Sequence, residues 1–302
     1  MTAKVLVTGG TGSIGRLLCN FLTEKGYEVS VLSRSRSANS KYKTYLWNYK
    51  EDFIEEEAIL NCDYIVHMAG AGIADKRWTS QRKKEIIDSR VQTSTLLYKT
   101  LSNHKNKVKC FISASGAGYY GQLTSDKTFV ETDLPGADFI GQTCQQWEDS
   151  VNQIKTLKIR TVNLRIGMVL MKNGGAIEKM AKPFELGLGT VLGNGNQIIP
   201  WIHVNDLQRI ILQAMVNEDM NGPYNSCSPE ITNNLEFTKT LANSLNKKLW
   251  LPHTPVWVLK IILGQRSMLL TDGSKLSSKK LLSTGFVFNY PGLQDALSEF
   301  LA

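Results

Sequence analysis

Histidine and cysteine are sparse in this sequence, four and five among 302 residues, and neither occurs in clusters. His67, His104, His203 and His253 are scattered with no two at helical ligand spacing, so no metal centre is expected. Cys19, Cys62, Cys110, Cys144 and Cys227 are odd in number, far apart and mostly set in apolar segments, the usage of reduced thiols rather than of a disulfide framework. Long apolar runs are missing as well. The strongest late run, Val256 to Leu263, carries Lys260 and is too short to span a bilayer. The first residues lack the charged, apolar and small-residue regions of a secretion signal. A cytoplasmic protein with no membrane association is therefore expected, and no internal repeat or low-complexity tract interrupts it. The formal charge of +8 is not massed in one basic tract; the densest cluster is Lys76-Arg77 with Arg82-Lys83-Lys84. That spread argues against nucleic acid as a partner and suits a small anionic ligand.

What is present begins at once. Lys4 to Thr8 reads as a buried strand and runs into Gly9-Gly10-Thr11-Gly12-Ser13-Ile14-Gly15, followed by the amphipathic positions Leu17, Leu18, Phe21 and Leu22. Each glycine meets a separate demand of a dinucleotide pyrophosphate site. Gly9 permits the sharp turn, Gly12 the approach of phosphate to backbone, and Gly15 close packing of helix on strand. The phosphates would lie at the helix N-terminus, against the N–H groups of Ser13, Ile14 and Gly15. The second strand, Glu28 to Arg34, ends without the carboxylate that would accept the ribose hydroxyls of NAD. Ser33 and Arg34, with Ser35 and Arg36 beside them, offer a planar cation and hydroxyl donors to a 2′-phosphate, so NADP(H) is the expected cofactor.

Further strands are expected at Tyr45–Trp47, Tyr64–Met68, Lys109–Ser113 and Ile159–Ile166. Helices are expected over residues 53–60, about 80–102, 140–153, 207–216, 235–245, 255–263 and 293–301. Their alternation predicts an α/β fold: a Rossmann-type doubly wound parallel sheet with a smaller C-terminal α/β lobe. Residues 1–166 would form the dinucleotide-binding domain, with 200–222 returning to it, and 167–199 with 223–302 the substrate lobe. Ala69-Gly70-Ala71-Gly72 closes a strand with small residues, which lets a cofactor approach the backbone. Ser113 to Gly121 is a second such end, rich in hydroxyls. His67 is read as a core residue and Asp206 as the cap of the helix that follows it.

With the glycine elbow, the Ser113-Ala114-Ser115…Tyr119-Tyr120-Gly121 strand end, Lys182-Pro183-Phe184 and Trp201 to Asp206 in order, the chain resembles the extended and atypical short-chain dehydrogenase/reductase superfamily. It is more closely similar to the subfamily called epimerase family proteins, related to NAD-dependent epimerase/dehydratases. Signatures of that subfamily stand at Ala69 to Ala74, Arg77-Trp78-Thr79, Ser89-Arg90, Cys144 to Glu148 and Gly187 to Gly189, and a C-terminal segment of its type runs from Gly222 through Gly285-Phe286 to Pro291. The resemblance implies an NADP(H) site, which the small residues Ala69, Gly70 and Ala71 would line, and a pocket for a small-molecule substrate walled by Phe184 and Trp201; a homodimer stays open. Arg77, Trp78 and Arg82, just after that strand end, are placed either to reach an anionic substrate or the cofactor's phosphates or to form a solvated helix start with a half-buried tryptophan.

The superfamily's chemistry uses a Ser or Thr, a Tyr, and a Lys four residues beyond the Tyr that lowers its pKa and holds the ribose. Ser115 fits the first role. The other two positions fall on Ile140 and Cys144, which can neither transfer a proton nor supply a cation. Three readings compete. One is an oxidoreductase in which Tyr119 or Tyr120 beside Ser115 serves as the acid. Another is an NADP(H)-binding regulatory or sensor protein without turnover, and the third a nucleotide-sugar-type epimerase. Cys144 shares a helical face with Ile140 and Trp147 and is read as core, and Trp147 and Glu148 as packing and a local ion pair.

Overall fold

The computed structural model describes residues 2–36, 40–172 and 174–301. Strand β1 (Lys4–Thr8), apolar at Val5, Leu6 and Val7, runs along the middle of an eight-stranded sheet. Across the glycine elbow the chain enters helix α1 (Ser13–Glu24) and returns as β2 (Glu28–Ser33) and β3 (Lys43–Asn48), each parallel to its neighbour. The expected acidic helix over 53–60 forms only in its second half. Phe53–Ile54 instead make β4, antiparallel to β3 with Ile54 opposite Trp47, and helix α2 is confined to Glu57–Leu60. The cause is a carboxylate used by the sheet: Glu55 accepts from the backbone N–H of Leu46 at 2.7 Å, which holds the segment extended.

The chain then crosses to the other side of β1. Strand β5 (Tyr64–His67) pairs with β1, and helix α3 (Ser80–Asn103), capped by Thr79, leads to β6 (Cys110–Gly116). After the short β7 (Thr128–Phe129) come helix α4 (Phe139–Asn152), capped by Asp138, and β8 (Arg160–Ile166). The sheet order is β11-β8-β6-β5-β1-β2-β3-β4, where β11 is Gly222–Ser226. The order reverses between β1 and β5. In such a sheet this reversal opens a crevice beyond the carboxyl ends of the two strands.

Apolar faces on both sides of the sheet give two cores. Leu18, Cys19 and Leu22 of α1 pack on one with Leu207, Ile210 and Ile211, while Ile65, Phe111, Leu97 and Trp147 fill the other. A third core marks the smaller lobe: Phe184, Trp201, Phe237, Leu241 and Leu297. Beyond β8 come β9 (Met168–Leu170), helix α5 (Gly175–Glu185), β10 (Trp201–His203) parallel to β9, and helix α6 (Val204–Val216). After β11 the chain forms α7 (Asn234–Ser244), α8 (Val256–Leu263), α9 (Met268–Thr271), β12 (Lys275–Leu276), α10 (Lys279–Leu282) and α11 (Leu293–Leu301).

Two further details differ from the sequence expectations. The main sheet runs past residue 222, because β11 is its last strand, and Leu281, Phe286 and Phe288 pack on the same core. Asp206 does not cap α6. His203 does, its Nδ1 accepting from the N–H of Asn205, while the fully buried Asp206 carboxylate accepts from the N–H groups of Asn289 and Tyr290 and pairs with Arg209. Among the described residues no helix is long and apolar enough to cross a membrane.

Candidate dinucleotide and substrate site

At the elbow the glycines are sterically required. Gly9 has φ +71°, and a Cβ there would lie 2.9 Å from the Met68 carbonyl. A Cβ on Gly15 would lie 2.2 Å from the Gly9 oxygen. Gly12 differs: its Cβ would meet only that oxygen, at 3.3 Å, so the side open to solvent is kept bare without any packing reason. Gly12 is also the N-cap of α1 and provides no side-chain cap, and the first turn holds no acidic residue. The N–H groups of Ser13, Ile14 and Gly15 therefore lack intrahelical partners at the positive end of the helix dipole. The residues present fit a dinucleotide pyrophosphate.

The opposite lip is built from β5 and α3. Thr8 Oγ1 accepts from the N–H groups of Met68 and Ala69, both at 3.1 Å, and pairs with His67 Nδ1 at 2.8 Å. Burial pushes the His67 imidazole down to about 3, with the Arg90 charge adding to it, so this histidine is a neutral core residue. Ala71 N–H donates to Ser89 Oγ at 2.9 Å. At the end of β2, Arg36 is drawn away to Glu55 and the Thr44 carbonyl. Arg34 is exposed and has no ion-pair partner among the described residues.

Ser115, Arg165 and Asn225 stand at matched register on β6, β8 and β11. Ser115 Oγ donates to Glu148 Oε1 at 2.7 Å, and Arg165 holds both Glu148 oxygens, at 2.8 and 2.9 Å. Arg165 also donates to the Tyr120 hydroxyl at 2.8 Å, and that hydroxyl donates to Asn225 Oδ1 at 2.7 Å. Burial opposes the Arg165 charge, but the Glu148 carboxylate outweighs it and holds the proton more tightly than usual. Tyr120 is buried, and desolvation raises its pKa well above the phenol range. Tyr119 is half-buried, its ring 3.4 Å from the Arg165 guanidinium carbon, and its pKa is raised by the same cause. Of the two phenols, Tyr120 is the one whose hydroxyl both accepts and donates within the ladder, while Tyr119 lies against Arg165, whose charge opposes the rise in its pKa. Sequence reasoning missed Arg165 and Asn225; the signal was a cation inside the apolar strand Thr161 to Ile166.

Positions 140 and 144 form an apolar wall. Ile140 and Cys144 are buried with Trp78 and Ile86, and Tyr119, Met268 and Leu269 pack against them. Burial pushes the Cys144 thiol up to about 11, which makes it a core residue and no nucleophile at neutral pH. The other residues singled out by sequence hold the frame of the site. Trp78 donates from Nε1 to the Ile73 carbonyl at 2.8 Å, and Arg82 is buried, bound to Glu85 and the Gly72 carbonyl. Arg77 is exposed beside Gly264. Phe184 and Trp201 lie inside the third core, with Trp201 donating to Thr232 Oγ1 at 3.0 Å, so they shape the lobe from behind its surface.

Residues 5–227 match the family model described as NAD dependent epimerase/dehydratase family, and residues 254–300 match a domain of unknown function, DUF1731. The chain belongs to the NAD-dependent epimerase/dehydratase family. Among individual proteins it is 34% identical to Epimerase family protein YfhF of Bacillus subtilis over 301 residues, 99% of this chain and 98% of that one. It is 33% identical to the human Epimerase family protein SDR39U1 over 305 residues, 99% of this chain and all of that one. A crystal structure of human SDR39U1 (isoform 2) with NADPH superposes with a TM-score of 0.87 at 31% identity, covering 99% of both chains. A UDP-N-acetylglucosamine 4-epimerase from Bacillus cereus shares the fold, with a TM-score of 0.76 at 20% identity.

Proposed function

We propose that this chain binds NADP(H) at the β1–α1 elbow and is a reductase of a small carbonyl compound. The observation that carries the reading is the bare, uncapped N-terminus of α1 at the sheet's reversal, with Arg34 at the end of β2 as the cation for a 2′-phosphate. The NADPH in the human SDR39U1 crystal structure supports it. The main sheet, from β1 through β11 at Gly222–Ser226, carries this site, and the lobe built on α5, α7 and α11 shapes the substrate side. A protein acting on a small molecule inside the cytoplasm fits these features.

Bound there, the reduced dinucleotide supplies a hydride. Tyr119 supplies the proton: its O–H bond breaks as a bond forms to the substrate oxygen, and the carbonyl becomes an alcohol. Burial raises the Tyr119 pKa, which weakens it as an acid, while the Arg165 guanidinium stacked on its ring opposes that rise and would stabilise the phenolate left after proton transfer. Ser115 orients Glu148 and, through Arg165, the Tyr119 ring. Arg77, exposed at the start of the segment before α3, biases the mouth toward anionic substrates.

The second reading, a binding protein without turnover, is favoured by one observation: Ser115 and Tyr120 both direct their hydroxyls into the buried ladder. The deciding experiment follows NADPH absorbance with a panel of aldehydes and ketones. Consumption that falls at least about tenfold in Tyr119→Phe supports the reductase. No consumption by protein that binds NADPH tightly supports the silent binder.

A further inference from the structure

The vacancy at position 144 removes a cation from the cofactor crevice, and the fold brings another there from a different element. Arg90, on α3, places its guanidinium beneath the end of β5. A Cβ on Gly70 would lie 3.1 Å from the Arg90 guanidinium carbon and 3.3 and 3.4 Å from its two terminal nitrogens. Glycine at position 70 leaves room for the guanidinium face to lie against the backbone at the end of β5, with Trp147 on its other face. The guanidinium is fixed in place. Nη1 donates to the Ala71 and Ile86 carbonyls at 3.1 and 2.9 Å, and the plane lies over the Trp147 ring, 5.0 Å from its centre. Nη2 and Nε have no hydrogen-bond partner among the described residues. Cys144 is within electrostatic reach on the facing helix α4, in the same apolar wall as Ile140.

We infer that Arg90 is a binding residue for the ribose hydroxyls on the nicotinamide side of the dinucleotide, in place of the lysine that position 144 lacks. This rests on the NADP(H) reading above and adds to it a residue and a half of the ligand. A planar fork with one edge anchored to backbone and the other edge open matches a vicinal diol, to which two parallel N–H groups can donate. The same geometry explains why position 70 carries no side chain. Any Cβ would press on the guanidinium face opposite Trp147 and displace the fork, although φ at Gly70 makes no demand for glycine. Arg90 does not reproduce the lysine's effect on a tyrosine, because position 140 is isoleucine. It retains the binding function alone.

The test is calorimetric titration of the full chain with NADPH and with 2′,5′-ADP, which carries the adenosine half and the 2′-phosphate but no nicotinamide ribose. Arg90→Met keeps the stacking on Trp147 and removes the fork. It is expected to weaken NADPH by about tenfold to a hundredfold, the range for charge-assisted hydrogen bonds, and to leave 2′,5′-ADP within about twofold of wild type. Arg90→Lys guards against misfolding and should recover part of the NADPH affinity with the same 2′,5′-ADP value. Equal weakening of both ligands in both variants would assign Arg90 a purely structural role and overturn the inference. So would unchanged NADPH affinity. Wild type that binds 2′,5′-ADP but shows no gain for NADPH would overturn it too, whereas wild type that binds neither would reject the NADP(H) reading itself.

Discussion

Removing the Glu148 carboxylate is the perturbation whose cost the structure fixes best. Arg165 and Glu148 are 3% and 6% exposed, and the pair is bidentate. In Glu148→Ala, Arg165 retains donations to the Tyr120 hydroxyl and the Glu131 carbonyl, both neutral, and Ser115 loses its acceptor. A guanidinium left buried without a counter-charge destabilises a protein by about 3–5 kcal/mol. At roughly 2 °C per kcal/mol for a chain of this size, the midpoint should fall by about 6–10 °C. Replacing both partners, Glu148→Leu with Arg165→Met, removes the unpaired charge along with the pair and should restore most of that loss. Thermal unfolding followed by circular dichroism, at matched pH and protein concentration, reads both. A single variant within about 1 °C of wild type would show that water reaches Arg165. A double variant that falls as far as the single one would show that the stabilising element is the ladder itself and not charge compensation.

Other expectations follow from the same geometry. Gly15→Ala puts a Cβ against the Gly9 carbonyl and should abolish detectable NADPH binding by calorimetry, while Gly26→Ala, where nothing lies within 4 Å, should not. His67 is neutral when folded, with its pKa near 3, so the unfolded chain takes up a proton below about pH 6.5 that the folded one refuses. Stability should therefore decline as pH falls from 6.5 toward 3. His67 should account for about 2 kcal/mol of loss between pH 7 and pH 5, and His67→Gln should remove that component from urea midpoints. Cys144→Ser should leave cofactor affinity unchanged, and Cys144 should resist alkylation at pH 8, since burial holds the thiol protonated up to about pH 11; rapid labelling in native protein, read by mass spectrometry, would contradict this.

Legibility in the sequence followed the range of the interactions. Gly9, Gly12 and Gly15 were readable because their demands are local, set by a turn and by helix packing a few residues away. The gap at Ile140 and Cys144 was readable only through the family resemblance, which says where a Tyr and a Lys would stand. Asp206 misled because local capping rules assign it to its own helix, while its partners, the Asn289 and Tyr290 amides, lie more than 80 residues on. Phe53–Ile54 were drawn out of a helical pattern by pairing with β3. The Ser115–Arg165–Asn225 ladder depends on the register of three strands that are distant in sequence, so only its oddity, a cation within an apolar strand, was visible beforehand.

The central claim is that Arg34 and the bare α1 N-terminus select a 2′-phosphorylated dinucleotide. Calorimetric titration of wild type and Arg34→Ala with NADPH and NADH tests it most directly. Wild type should bind NADPH at least about tenfold more tightly, and Arg34→Ala should erase that preference while leaving NADH affinity unchanged. Equal affinities in wild type, or no saturation with either ligand, would contradict it.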